Sequence, residues 1–407
     1  MSIERFPEGH SPSPSSSPET LCAGGGPRGR DGDPLVFPIV QSTSFARDGL
    51  DSRAEFAYSR VGNPTVTALE RTFGELEEAP PAVAFATGLA AETALLLAVL
   101  RTGDHVVCGR AVYGGTTRLL QRLLAGLGIE TSFVDATDAT AIESALCART
   151  RLVFLETPAN PTLVLSDIAA AARDARRAGA LLAVDNTFQT AVLQRPLELG
   201  ADVSVYSTTK FVEGHSAALG GALVSRDPGL LERLRFVRKS TGAIQTPFNA
   251  WLTLQGLRTL PLRLRRQSES AAYVARQLAV RPEVARVHYP TLLTGAQAEL
   301  ARRQHRGAHG AVLSFELRGG AAAARALPTR VRLCRLAEHV GSVETLLTHS
   351  ASMTHADVPP DERRLAGVSD GLLRLSVGLE DPGEILRDLV QALPASVGEE
   401  APCAATR

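Results

Sequence analysis

Two of the 43 Lys+Arg residues in this chain are lysines, Lys210 and Lys239; the others are all arginine. A guanidinium stays protonated, with a pKa above ~12. A lysine amine can lose its proton and attack a carbonyl to form a Schiff base. A lysine kept against such a bias invites a chemical reason. Lys239 lies between Arg238 and Ser240 in an arginine-rich stretch, where a solvated surface cation is the simpler reading. Lys210 closes the run Val203-Ser204-Val205-Tyr206-Ser207-Thr208-Thr209-Lys210, ahead of Gly214-His215-Ser216 and Gly220-Gly221. Here a reactive amine is the better reading.

The elements around Lys210 are short apolar runs that alternate with helical patterns from about residue 82. The runs are 82–86, 105–108, 129–134, 151–155, 181–184 and 203–206, and helices are expected at 90–100, after Tyr113 to about Leu127, at 139–148, and from an N-cap at Ser166 to near Gly179. Continuous apolar strands alternating with helices predict a mostly parallel sheet covered on both faces. Ligands of such sheets bind beyond the C-terminal strand ends. Gly88, Tyr113, Glu156, Asn160, Asp185, Ser207, Thr209 and Lys210 all fall just past a predicted strand end, which puts them on one rim. Tyr58 and Arg60 precede a helix opened by Asn63-Pro64, and Arg60 suits an anion because arginine binds phosphate in a bidentate fork.

The 407 residues exceed one compact core and suit two domains, at about 100–200 residues each. Residues 1–33, with Ser11-Pro12-Ser13-Pro14 and Gly24-Gly25-Gly26, are expected to be a disordered tail. We expect an N-terminal arm at 34–62, a large cofactor-binding domain at 63–250, an α+β domain at 251–395 and a tail at 396–407. A long helix is expected over 250–278, with interruption at Gly256 and Pro261, and strands at 311–316 and 372–377. A net charge of zero gives no reason to expect nucleic acid as partner. The longest apolar run, 94–100, is far short of the ~18–20 residues of a membrane span. With no basic-then-apolar N-terminal pattern, the cytoplasm is expected. Five scattered cysteines read as reduced thiols.

Pyridoxal phosphate needs a combination that this rim offers. Its aldehyde takes a lysine, its ring nitrogen takes a fixed carboxylate, its phosphate takes hydroxyls, N–H groups and an arginine, and its ring takes an aromatic face. The chain resembles the Cys/Met-metabolism family of pyridoxal-phosphate enzymes from about Val36 to Leu393. The resemblance rests on nine ordered motifs: 58–65, 87–89, 113–116, 156–161, 184–187, 207–210, 341–346, 352–355 and 374–381. It implies the fold-type I α/β architecture, with a seven-stranded sheet, and a transsulfuration-type enzyme. By the same resemblance, Lys210 is the Schiff-base lysine and proton shuttle. Asp185 holds the ring nitrogen, and Thr187 stands beside it. Tyr113 stacks on the ring and acts as acid or base. Gly88, Leu89, Ser207 and Thr209 cradle the phosphate. Tyr58 and Arg60 complete that cradle from a neighbouring subunit, which implies a homo-oligomer, a tetramer built from two active dimers. Asn160 and Arg374 bind the substrate carboxylate. No metal is expected: His305 and His309 have ligand-like spacing, but Gly307 and Gly310 interrupt any helix there.

The family's substrate branches are harder to separate. Glu338 resembles the cystathionine γ-synthase and γ-lyase branch, where such a residue receives the distal amino group of cystathionine. Gly115 differs from the cysteine typical of methionine γ-lyases, and Arg118 matches transsulfuration members. Residues 247–251 and Gln255 are closer to O-acylhomoserine sulfhydrylases or methionine γ-lyases. Three departures stand out: His339 for a serine near the substrate carboxylate, Ala217 for an aspartate, and Ser342 for a glycine. The resemblance therefore implies γ-replacement or γ-elimination on an amino acid with a γ-leaving group. The alternatives are a sulfhydrylase, a methionine γ-lyase, a secondary-metabolic homologue or a non-catalytic cofactor-binding homologue. Lys210→Ala is expected to abolish both the Schiff-base absorbance and turnover; a variant retaining both would refute the assignment of Lys210.

Overall fold

Most of the apolar runs form strands buried on both faces; the run at 129–134 forms an edge strand that is only half-buried. The computed structural model describes residues 16–24, 32, 34–356 and 358–394. The first seven strands are β1 (Val83–Phe85), β2 (His105–Gly109), β3 (Glu130–Val134), β4 (Thr150–Glu156), β5 (Leu181–Asp185), β6 (Val203–Tyr206) and β7 (Gly221–Val224). They make one seven-stranded sheet in the order β1-β7-β6-β5-β4-β2-β3. β2 to β6 pair in parallel, and β7 runs antiparallel between β1 and β6. The parallel pairs point the ends of β4, β5 and β6 the same way, and the loops after them form the rim inferred from sequence. Helices close both faces, with separate apolar clusters around Leu95 and Leu231 and around Ile168 and Ala171.

A second sheet has five strands: β8 (Val284–His288), β9 (Val312–Leu317), β10 (Arg335–Leu336), β11 (Leu346–His349) and β12 (Leu372–Ser376). Their order is β10-β11-β12-β9-β8, antiparallel except for the β10–β11 pair. The two strands expected at 311–316 and 372–377 are its central pair, β9 and β12.

Several local expectations are corrected. Within the tail expected at 1–33, Pro18–Gly24 is a helix whose Leu21 and Cys22 are buried in the same core cluster as Leu264 and Ala271. Glu19 pairs with Arg265. One apolar pair inside a Ser/Pro/Gly-rich stretch is enough to dock that turn; the rest of 1–33, apart from residues 16, 17 and 32, lies outside the described residues, as does the tail from 396. Asp167, not Ser166, caps the helix Ile168–Arg177, its carboxylate accepting from Ala170 N at 3.0 Å. The helix expected over 250–278 is two helices, Pro247–Leu257 and Leu260–Ala279, with Pro261 in the first turn of the second. The boundary expected at residue 251 falls inside the first of these. That helix packs through Ala250 and Leu254 on Val66, Leu69 and Ala84, and so belongs with the large sheet.

One buried ion pair fastens the outer end of that sheet. Glu70 on the helix Pro64–Leu76 pairs with Arg238 on the helix Pro228–Thr241, both side chains being almost fully buried. β1 is held by both partners: Glu70 Oε1 accepts from Ala84 N at 2.9 Å, and Arg238 Nη1 donates to Ala84 O at 3.0 Å. Removing one member strands the other charge, a loss of about 3–5 kcal/mol. Arg238→Met is expected to lower the unfolding free energy from urea titration by that much, whereas a change below about 1 kcal/mol would show that the pair does not secure β1.

Candidate active site

The rim beyond β4, β5 and β6 surrounds a cavity of about 450 Å³. It brings together Gly88, Leu89, Tyr113, Asn160, Asp185, Thr187, Ser207, Thr209, Lys210, Glu338, His339 and Arg374. Tyr58 and Arg60 do not line it. Both are exposed; the Arg60 guanidinium lies 5.2 Å from the Tyr58 ring centre and donates to Lys239 O at 2.5 Å.

One end of the cavity is rich in donors. Thr87 caps the helix Gly88–Val99, its hydroxyl accepting from Ala90 N at 3.0 Å. The first-turn N–H groups of Gly88 and Leu89 have no acceptor among the described residues and point along the positive end of the helix dipole. The Thr187 hydroxyl accepts from Ser207 N at 2.8 Å, which ties the β5 and β6 loops together. Thr209 faces the cavity, but its hydroxyl donates to Gly220 O at 3.1 Å and accepts from Gly220 N at 2.9 Å. It is the one expected cradle hydroxyl that already has partners.

Besides Glu338, three carboxyls line the cavity. Asp185 Oδ1 accepts from Thr187 N at 2.9 Å, and burial pushes its pKa up. No lysine or arginine of the described residues forms an ion pair with it. Glu156, at the end of β4, accepts from Tyr113 N at 2.6 Å and Asn160 N at 3.0 Å. Burial, and then the charge of Asp185, hold it well above the usual carboxylate range. Glu92 accepts from the Thr116 hydroxyl at 2.8 Å and is pushed up to about 8 by burial and then by Asp185. Glu156 was placed on the rim from sequence without a role; here it orients the aromatic and the amide of the site. Glu92 was missed, although it is the sole charge in an otherwise apolar helix.

Opposite them sit the basic groups. Burial, and then the Arg374 cation, lower the Lys210 amine to about 8. Its Nζ lies 3.2 Å from His339 Nδ1. His339 is itself held down to about 4 by burial and by the Lys210 and Arg374 charges, so it is neutral at pH 7. Arg374, on β12, donates to Asn160 Oδ1 at 2.9 Å, to His339 O at 3.1 Å and to the Thr348 hydroxyl at 3.1 Å. Its buried Nε has no partner. Gly341 holds this loop against the lysine: its φ is 84°, and a Cβ there would stand 2.4 Å from Phe211 N and 2.8 Å from Lys210 C. Ala217 and Ser342 sit in loops held by other groups, Glu213 accepting from Ala217 N at 3.1 Å and Gln267 donating to Ser342 O at 2.7 Å. Lys239 is exposed on the helix Pro228–Thr241. His305 and His309 face each other, Nδ1 to Nδ1 at 2.9 Å, and no group of three or more metal-ligating side chains occurs among the described residues. The four described cysteines are unpaired.

Residues 19–394 match the family described as Cys/Met metabolism PLP-dependent enzyme. Cystathionine gamma-synthase of Mycobacterium tuberculosis (strain ATCC 25618 / H37Rv) is 44% identical, over 88% of this chain and 91% of its own length. Cystathionine gamma-lyase of Mus musculus is 42% identical, over 89% and 91%. The crystal structure of cystathionine gamma synthase from Xanthomonas oryzae pv. oryzae, in complex with aminoacrylate and cysteine, superimposes with a TM-score of 0.90 at 40% identity, covering 93% of this chain and 97% of that one. This chain belongs to the Cys/Met-metabolism family of pyridoxal-phosphate enzymes.

Pyridoxal phosphate is therefore its cofactor, and the cavity suits it. A buried carboxylate without a cationic partner matches a protonated ring nitrogen, and unpartnered helix N–H groups match a phosphate. A half-buried amine, Lys210, lines the same cavity, and an amine is what an aldehyde requires. A family enzyme also needs that amine unprotonated when it captures the aldehyde, and the depressed pKa of Lys210 supplies this near neutrality. The rate at which cofactor-free protein captures pyridoxal phosphate is expected to rise with pH and level off above about 8. In Arg374→Met, where the nearby cation is gone, the midpoint is expected to move to higher pH; an unmoved midpoint would remove Arg374 as a cause.

Proposed function

We propose that this enzyme acts on an amino acid bearing a γ-leaving group, by γ-replacement with a thiol amino acid or by cleavage of the resulting thioether: cystathionine formation from an O-acylhomoserine and cysteine, or cystathionine cleavage. The observation that carries the reading is Glu338 in the same cavity as Lys210 and Arg374. Arg374 and Asn160 hold the α-carboxylate through the free Nε and the amide of the pair. Lys210, as free base, takes the α-proton and moves a second proton at Cβ. The cofactor supplies the electron sink that makes those protons acidic. In γ-replacement the Cγ–O bond breaks, the acylate leaves with the electron pair, and a Cγ–S bond forms as the thiol gives up its proton. Glu338 receives the ammonium at the far end of the thiol amino acid or thioether.

Gly115 supports this branch physically. A Cβ at that position would stand 2.4 Å from Tyr113 Cε1, so a cysteine there would displace the ring. With glycine, Tyr113 lies flat on its own helix turn and keeps a place to stack on the cofactor. In the same reading Gly88, Leu89, Ser207 and Thr209 hold the phosphate, and Asp185, oriented by Thr187, holds the ring nitrogen. Tyr58 and Arg60, exposed and outside their own chain's cavity, complete the cradle of a neighbouring subunit. The working unit is then a dimer, and two dimers make the tetramer.

O-acetyl- and O-succinylhomoserine, cystathionine and methionine, each with and without cysteine or sulfide, distinguish the branches. Cystathionine formation or cleavage is expected to dominate. Glu338→Ala is expected to raise KM for cysteine or cystathionine by about 10- to 100-fold, the size of a lost charged hydrogen bond of about 1.5–3 kcal/mol, with a smaller effect on the acylhomoserine. Preferential use of sulfide or methionine, unaffected by Glu338→Ala, would favour a sulfhydrylase or methionine γ-lyase instead.

A further inference from the structure

The C-terminal rim of the large sheet carries a second cavity, of about 240 Å³, beyond the ends of β2, β3 and β4. Its other wall is the outer pair of the small sheet, where Arg286 on β8 stands opposite Glu316 on β9. The volume is below the roughly 300–1,000 Å³ of sites for drug-sized ligands, which suits a molecule of a few non-hydrogen atoms.

The lining has uncommitted groups of both signs. Arg286 makes no hydrogen bond or ion pair among the described residues, and Arg110 donates only from Nη2, to Phe133 O at 3.0 Å. Asp135 uses Oδ1 for Thr137, accepting from its N at 3.0 Å and its hydroxyl at 2.7 Å, which leaves Oδ2 without a partner. Glu316 is already engaged, by His288 Nε2 at 3.0 Å and the Ser369 hydroxyl at 2.8 Å. Thr162, only 6% exposed, lines the cavity with a buried hydroxyl that has no partner. Two guanidiniums, one free carboxylate oxygen and an unsatisfied hydroxyl fit a carboxylate and an ammonium carried on one small molecule.

We propose that this second cavity is an effector site for a free α-amino acid, its carboxylate on Arg110 and Arg286 and its ammonium on Asp135. Glu156 connects it to the active site, because the same side chain lines both cavities. Its two oxygens fix Tyr113 and Asn160 on the active-site side. The loop after it continues the link, with Asn160 facing one cavity and Thr162 the other. A ligand that shifts this loop changes the placement of the substrate-binding amide, and by linkage the two sites alter each other's affinity by the same factor.

The coupling rests on the function proposed above; binding in the second cavity does not. Holoenzyme is reduced with borohydride, which fixes the cofactor on Lys210 and closes the active site to exchange. It is then titrated calorimetrically with glycine, L-homoserine and L-methionine. Saturable binding of at least one is expected, weakened tenfold or more by Arg110→Gln and by Thr162→Val and unchanged by Glu338→Ala. No saturable binding of any of the three, or binding indifferent to Arg110→Gln and Arg286→Gln, would overturn the proposal. Absence of a reduced adduct on the Lys210 peptide would count against the Schiff-base reading alone, and the unreduced protein titrated beside Arg110→Gln would still decide the second cavity.

Discussion

The arrangement depends on one buried guanidinium. Arg374 projects from the central strand of the small sheet and bonds to Asn160 from the large one, to the carbonyl of His339, and to Thr348. Burial, the largest effect, brings it down to about 10, still far above neutrality, so it remains a cation. A charge so enclosed is stable only where its donors are met, and here both Nη groups are met, from residues of both sheets. The same contact places the His339 loop beside Lys210 and lowers the amine. Lysine basicity and the joining of the two sheets thus share one side chain, whose Nε has no partner.

Carboxyl groups supply the complementary constraint. Asp185, Glu156 and Glu92 crowd one cavity, and burial raises all three. Three ionised carboxylates so close, with few cations, would repel strongly in a medium of low dielectric. The arrangement is resolved by role. Asp185 is turned by the N–H of Thr187 within its own loop. Glu156 accepts two backbone N–H groups, and Glu92 leans on a threonine hydroxyl.

Much of this was legible in the residues themselves. The strands that carry the site are continuous apolar runs, and a parallel sheet leaves little choice about where polar residues at their ends converge. Lys210 stood out because arginine replaces lysine almost everywhere else. What could not be read is what long-range contact decides. β7 has four residues and begins on the second glycine of a Gly-Gly pair, too short for periodicity, and its antiparallel direction follows from packing. β8 alternates weakly because its register shifts between Val284 and Arg286, so that Val284 and Val287, three apart, both meet the core. The His339–Lys210 contact spans 129 residues and is visible only once β12 and the rim are assembled. The helix at 18–24 was hidden by its neighbours' composition, although Leu21 and Cys22 are apolar.

The close approach at Gly341 bears on motion. At Gly341 the small-sheet loop presses on the main chain of Lys210 and Phe211, two residues beyond the His339 ring that meets the lysine side chain, and Val343 N bonds to Gly214 O at 3.0 Å just beyond. Backbone pressed on backbone transmits displacement with almost no slack, since packed interiors are poorly compressible. A rotation of the small sheet toward the large one would reach the lysine as a push on its peptide bonds, before any side chain rearranged. The main chain that carries the Lys210 amine is thereby braced by the small sheet's backbone, with no intervening side chain to absorb a shift.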